Sequence, residues 1–435
     1  MQFVSTRDTN QKVSFAEAIL KPVPKDGGMY VPASEDNLGP WILHLDASSS
    51  FSSIAGSLTS ALLKDEFSPL ISENIAQTAF PFSPELKQLD KNLFVLELFH
   101  GPTGSHKDFG VSYLASCLEH ILHMEDKKAT VLAVTNGETG ACIANAFRGK
   151  KHLRAVLLYA KGTARGFRET DVLSQGGNII PVEVNGSEED CFQLVRDMYA
   201  DQDLIEKYNL SLANSLNIGR LLPHSFFYTY AFSRLKKIVH SDIFYAMTPG
   251  NYGNLVAGLY SWKFSLPVNG FIATSTPELY DDIQGKCAVS NSHIPLEKRN
   301  VSDPVNPSNI ERLEEIFAHN PQVIRAMVYP AKISESETEV AFKELYKNYK
   351  TLLDPSTVSA YAAVKKRQDI IYADDGAAVL LSRYHPSFFA DQARIWGAEK
   401  VKMPEQLVEM QKKQRAEHCI EANKQALEQI LKEST

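Results

Sequence analysis

Apolar residues in this chain cluster in short, nearly uninterrupted runs rather than alternating with polar ones. Three runs share one arrangement, in which an apolar, β-branched stretch passes through a glycine-containing turn into a helix-forming segment. They are Thr130–Thr135 (TVLAVT) before NGETG, Leu153–Ala160 (LRAVLLYA) before KG, and Ile243–Thr248 (IFYAMT) before PGNYGN. A fourth, Val379–Leu381, follows the turn-like ADDGAA. Strands this continuous in apolar character are buried on both faces, and their alternation with helices predicts parallel sheets in an α/β protein.

The ends of the chain read differently. Val13–Leu20 is apolar and helix-compatible, Lys25–Gly28 (KDGG) is a turn, Met29–Pro32 is a short extended piece, and proline and serine are frequent from there to Glu85. Residues 1–90 are therefore expected to form a separate N-terminal layer. Met403–Glu433 carries no glycine, and Leu407, Met410, Leu427, Ile430 and Leu431 give it a partial apolar stripe. With Pro404 suited to a first helical turn, a C-terminal helix or helix pair is predicted. No internal repeat or low-complexity tract interrupts this order.

Composition narrows the class without naming a chemistry. The 435 residues are 44% hydrophobic and 22% charged, the make-up of a folded protein with a large core. Domains of roughly 100–200 residues imply several units and a cleft between them. Forty-five basic against 52 acidic residues leave a formal charge of −7, which argues against nucleic acid or an anionic membrane as partner. Cys117, Cys142, Cys191, Cys287 and Cys419 stand singly, as reduced thiols do. The start of the chain lacks the apolar stretch of a secretory signal, and no run of about 18 apolar residues occurs. A cytoplasmic location is expected.

Four segments hold candidate chemistry. Phe94–Gly110 (FVLELFHGPTGSHKDFG) takes a strand through a Gly-Pro-Thr-Gly turn to Lys107, a position from which an amine can act as a Schiff-base nucleophile or simply begin a helix beside Asp108. Thr135–Gly140 (TNGETG) aims backbone N–H groups above a strand end, a ready anion site, although a tight strand–helix turn with Thr139 as helix cap explains the same residues. Thr248–Asn254 (TPGNYGN) exposes N–H groups between two glycines, as phosphate binding requires. It is neither a dinucleotide nor a nucleoside-triphosphate fingerprint. Asn214–Arg220 (NSLNIGR) offers Arg220 as an oxyanion clamp, although such Asn and Ser clusters also cap helices. His100, His106, His224 and His385 lie near loops without metal-ligand spacing, so no metal is expected.

Together these blocks resemble the threonine synthase family of the longer bacterial and fungal type, within the fold-type II pyridoxal-phosphate enzymes. The resemblance is carried by FVSTRD, VSFAEAIL and DGGMYVP, then ELFHGPTGSHKDFG, TNGETG, QGGNIIPVEVNGSEEDC, NSLNIGRLLP, PGNYGNLVAGL, GFIATST, VNPSNIERL and HPSFF, in the family's order from about residue 3 to 390. It implies a tryptophan synthase β-like fold of two parallel-sheet α/β domains, an N-terminal extension over residues 1–90 and a helical tail over 391–435. The larger, cofactor-binding domain is expected to comprise 91–129 and 235–390, and the smaller one 130–234. The implied cofactor is pyridoxal 5'-phosphate, joined to Lys107 as an imine and held by a phosphate cradle of Gly250, Asn251, Tyr252, Gly253 and Asn254.

The same resemblance assigns Thr135, Asn136, Gly137, Glu138 and Thr139 to the substrate carboxylate, and Asn214, Ser215, Asn217 and Arg220 to its phosphate. The implied reaction converts O-phospho-L-homoserine and water to L-threonine and phosphate. A phospho-lyase releasing a 2-oxo acid is the alternative enzyme, and an inactive ligand-binding descendant the alternative outside catalysis. The partner is then a small phosphorylated amino acid, and the chain a monomer or homodimer. Several positions depart from the family pattern: Asn136 for serine, Glu138 for aspartate, His106 for phenylalanine and Pro249 for serine. Arg383 stands where the family's threonine meets the pyridine nitrogen, with Ser382 one residue earlier, and either is expected to take that place.

Overall fold

The structure, a computed structural model, describes residues 1–284, 300–317, 321–371, 375–399 and 401–433. Two short antiparallel strands, β1 (Phe3–Ser5) and β2 (Tyr30–Pro32), flank the helix Phe15–Leu20, which Ser14 caps by accepting from the Glu17 N–H. The helices Phe51–Leu62 and Pro69–Ala79 follow, each capped by a serine hydroxyl, from Ser50 and Ser68. Aromatic rings join this layer to the helix Lys107–Glu125: Phe51 stands edge-on to Phe109 at 5.2 Å, and Phe80 stacks on Tyr113 at 6.0 Å.

The strands β3 (Glu85–Asp90) and β4 (Leu93–Glu97) form an antiparallel hairpin. Next come β5 (Ala129–Val134), β6 (Leu153–Ala160), β7 (Ile179–Asn185) and β8 (Leu210–Ser211), then β9 (Ile243–Met247), β10 (Gly270–Thr274), β11 (Val328–Ala331) and β12 (Ala377–Ser382), and last β13 (His418–Glu421). One sheet has the order β11-β10-β9-β12-β4-β3 and is parallel except for β3; the other, β13-β7-β6-β5-β8, is parallel throughout. Every residue of β4, β9 and β12 is buried, because helices cover both faces. Phe94, Tyr245 and Val379 face the core shared with the N-terminal layer. Val95, Phe244 and Leu380 face the helices Glu335–Tyr349 and Pro355–Lys366.

Two expectations are corrected. The tail is not purely helical: between the helices Glu405–Gln411 and Lys424–Glu433 it forms β13, which pairs in parallel with β7, and Leu427, Ile430 and Leu431 join the core of the smaller sheet. The boundary at residue 90 also cuts off β3, which is hydrogen-bonded into the larger sheet as its edge strand. Both strands are edges with charged, half-exposed side chains, and that hid them among polar positions. Cys117, Cys142 and Cys191 are buried free thiols and Cys419 is exposed; Cys287 lies outside the described residues. Among the described residues no helix is long and apolar enough to cross a membrane.

Candidate active site

Parallel strands carry the turns at their carboxyl ends toward one another, and the candidate residues sit on those turns. After β4 the chain folds on itself: the Thr103 N–H and Oγ1 donate to the two oxygens of Asp108 at 2.8 Å each, and the His106 N–H donates to the Arg383 carbonyl at 2.8 Å. Burial pushes the Asp108 carboxyl up to about 6 in spite of those donors. Lys107 opens the helix Lys107–Glu125, and its Nζ lies 3.2 Å from Thr139 Oγ1 and 3.2 Å from Glu138 Oε1. Burial works against its ammonium form, but Tyr384 and Glu138 outweigh that and hold it above the usual lysine range.

Beyond β5, Thr135 Oγ1 accepts from the N–H groups of Gly137 (2.9 Å) and Gly140 (2.8 Å), closing the turn. Gly137 takes φ +112°, and a Cβ there would stand 2.2 Å from Arg165 Nε, which itself donates to the Asn136 carbonyl. The N-cap of the helix Glu138–Phe147 is therefore Gly137, not Thr139, whose hydroxyl is turned to Lys107 instead.

Beyond β9, Gly250 and Tyr252 both take positive φ, +58° and +66°, and the Tyr252 N–H donates to the Pro249 carbonyl. The helix Gly253–Lys263 starts here, so its first N–H groups have no intrahelical acceptor and point out of the turn. Asn251 Nδ2 donates to Ser215 Oγ at 2.9 Å, and that hydroxyl also accepts from Asn309 Nδ2 at 3.0 Å. The fully buried Arg312 anchors the group, donating to the carbonyls of Tyr30, Ser215 and Leu216 and to Asn309 Oδ1. Arg220 bonds His224 Nε2, and His224 Nδ1 meets Asn254 Oδ1 at 2.8 Å. Since Arg220 is only a donor and Asn254 Oδ1 only an acceptor, His224 is neutral with its proton on Nδ1. Its burial and the neighbouring guanidinium both depress its pKa.

These turns enclose a cavity of about 490 Å³. Lys107, Thr139, Asn214, Ser215 and Arg220 line it, as do Gly250, Asn251, Gly253, Asn254 and Arg383. Thr135, Asn136 and Glu138 line an adjoining space of about 210 Å³ that shares Lys107, Thr139 and Asn214. Arg220 and Arg383 form no ion pair among the described residues, and no carboxylate lines the larger cavity. Burial lowers the Arg220 pKa only to about 10, so its guanidinium stays charged at neutral pH. The space is made for anions.

Four expected site residues stand outside both spaces. Asn217 caps the helix Ile218–Leu221 and spends its amide on the carbonyls of Ile19 and Leu212, so it is scaffold rather than a substrate contact. The Tyr252 hydroxyl bonds Thr276, and its N–H is used within the turn. Gly137 shapes the backbone alone. Ser382 is fully buried at the end of β12, its hydroxyl directed at Asp354 Oδ2 (3.4 Å). Arg383, with Nη1 3.2 Å from where a Gly250 Cβ would be, is the one of that pair that reaches the cavity.

His106, His224, Tyr384 and Asn309 were not singled out from the sequence as ligand-facing or supporting residues. A signal existed for His224, four residues after Arg220 and so on the same helical face. Tyr384 and Asn309 gave none, because only the folded chain brings them near Lys107 and Asn251.

Comparison with known proteins places these features in a family. The family described as pyridoxal-phosphate dependent enzyme matches residues 71–383, and that described as threonine synthase N terminus matches residues 2–80. Threonine synthase of Escherichia coli (strain K12) is 29% identical over 436 residues, covering 99% of each chain. That of Haemophilus influenzae is 30% identical over 415 residues, covering 94% of each. The crystal structure of threonine synthase from Escherichia coli superposes with a TM-score of 0.80 at 26% identity, over 100% of both chains.

Proposed function

The chain belongs to the pyridoxal-phosphate dependent enzymes and, within them, to the threonine synthases, and from that premise we propose that its cavity converts O-phospho-L-homoserine and water to L-threonine and phosphate. The observation that carries this reading is a half-buried lysine at a cavity that no carboxylate lines, in which two guanidiniums form no ion pair among the described residues. The cofactor has one phosphate and the substrate another, and a site for both must neutralise two anions. The residues fit the cofactor: Gly250, at positive φ with Arg383 Nη1 packed over it, leaves room for a phosphate where any side chain would intrude.

When bound, pyridoxal phosphate supplies an electron sink for the carbanions formed at Cα and Cβ of the substrate. The remaining work falls to the protein. Lys107 Nζ would hold the cofactor and, from its tether beside the substrate's Cα and Cβ, would carry protons between those two carbons. Its ammonium must first release a proton, and Glu138 Oε1, 3.2 Å away, is placed to accept it. Gly250, Asn251, Gly253 and Asn254 grip the cofactor's phosphate, with Arg383 beside them. Asn136, Thr139 and the N–H groups of the turn that Thr135 does not already bind receive the substrate carboxylate. Arg220, oriented by neutral His224, takes the substrate's phosphate and stabilises its departure. Asn214 and Ser215 complete that wall. The enzyme acts in the cytoplasm on this small phosphorylated amino acid, as a monomer or homodimer.

Two measurements test the proposal. Borohydride reduction of the yellow protein is expected to leave the cofactor's mass on the peptide containing Lys107. Incubation with O-phospho-L-homoserine is expected to yield threonine and phosphate in equal amounts; 2-oxobutyrate without threonine would reject the synthase. Lys107→Ala is expected to lower turnover by at least about four orders of magnitude, and retained turnover would refute the assigned role.

A further inference from the structure

His106 precedes the cofactor lysine, and the residue is only 7% exposed yet lines the 490 Å³ cavity. It stands edge-on to His224 (centroids 5.5 Å apart) and to Tyr384 (5.4 Å). Nδ1 is sealed in and makes no hydrogen bond among the described residues. A phenyl ring would fill the same volume without that cost, so an imidazole here asks for a reason. The titratable and charged groups around it are Lys107 on its own helix, Arg220 and the neutral His224 from the neighbouring helical segment, and Arg383 with Tyr384 beyond β12. Burial above all, and then the cationic Lys107, Arg220 and Arg383, keep His106 neutral.

A neutral imidazole has one N–H and one lone pair, and burying a bare N–H is the rarer and costlier arrangement. The lone pair therefore belongs on the sealed Nδ1 and the proton on Nε2, the nitrogen left on the cavity side. We propose that His106 is a specificity-determining residue that donates its Nε2–H to the substrate's phosphate group, beside the guanidinium of Arg220. Packed against His224, which orients Arg220, it adds a directional donor to that charge. Uncharged, it does not compete with Arg220 or Lys107 for the same anion.

The inference rests on the threonine synthase reading but is tested apart from turnover, by titrating the holoenzyme calorimetrically with inorganic phosphate. At about pH 8.5, where an imidazole is neutral, His106→Phe is expected to weaken phosphate binding roughly tenfold or more. His106→Gln, whose amide N–H extends to the Nε2 position, is expected to restore most of it. Thermal unfolding of His106→Phe is expected at the wild-type temperature or above, since an unpaired polar atom has been removed. Unchanged phosphate binding in His106→Phe overturns the proposal. So does a difference from wild type that appears only below about pH 6, which would mark a cation rather than a neutral donor. Lost affinity of the apoenzyme for pyridoxal phosphate, with phosphate binding by the holoenzyme intact, would place the donor on the cofactor and also overturns it. If phosphate binding responds as expected while no threonine forms, the functional reading falls and the phosphate site stands.

Discussion

Asp108 shows how one buried side chain sets a pH dependence. It is 1% exposed, and its folded-state pKa of about 6 lies above the ordinary carboxylate value of 3.8. Between those two values the folded chain keeps a proton that the unfolded chain has released. The group's contribution to stability is therefore fully present below about pH 4 and lost as pH rises through 6. Relative to Asp108→Asn, which cannot ionise, wild type is expected to lose about 2 kcal/mol between pH 4 and pH 7, read from urea midpoints of both proteins at the two pH values. The pair Lys107–Asp108 was legible in the sequence because the two residues adjoin, but the direction of the shift was not. It arises from burial of the carboxylate, a Gly101 Cβ position being only 2.5 Å from Asp108 Oδ2, and it persists although Thr103 donates to both oxygens. Asn217 shows the converse: its surroundings in the sequence resemble those of Asn214 and both amides brace carbonyls, Asn217 those of Ile19 and Leu212 and Asn214 that of Pro304, yet only Asn214 lines the cavity.

At the scale of elements, strands buried on both faces could be read directly. β6 matches the apolar run Leu153–Ala160 residue for residue, and β5, β9 and β12 differ from theirs by one or two positions. β3 and β13 could not be read, since an edge strand is specified by the partner it pairs with and not by its own hydrophobicity. β13 extends the smaller sheet at β7, and the helix after it buries Leu427 completely against that sheet. Leu427→Ala is expected to cost about 2–4 kcal/mol, observed as a lower urea midpoint with little change in the spectrum of bound cofactor. A tail that only decorated the surface would tolerate the change.

Across the whole molecule, Arg312 is where the N-terminal layer meets the site. Its guanidinium binds the Tyr30 carbonyl of β2 and, on the other side, Ser215, Leu216 and Asn309, which position Asn251 in the phosphate turn. Arg312→Met leaves those oxygens buried without donors and is expected to destabilise the fold by about 3–5 kcal/mol. It is also expected to weaken pyridoxal phosphate binding at concentrations where the protein stays folded, as measured by titration of the apoenzyme. Residue order alone specifies the apolar runs that become central strands and the glycine-rich turns at their ends, because burial and positive φ impose residue types locally. Which turns face one cavity, that Arg383 rather than Ser382 enters it, that His106 Nδ1 has no partner among the described residues and that the tail completes a sheet came only from the tertiary structure. Those facts depend on approach between segments hundreds of residues apart, and a side chain's own neighbours in the chain carry no record of it.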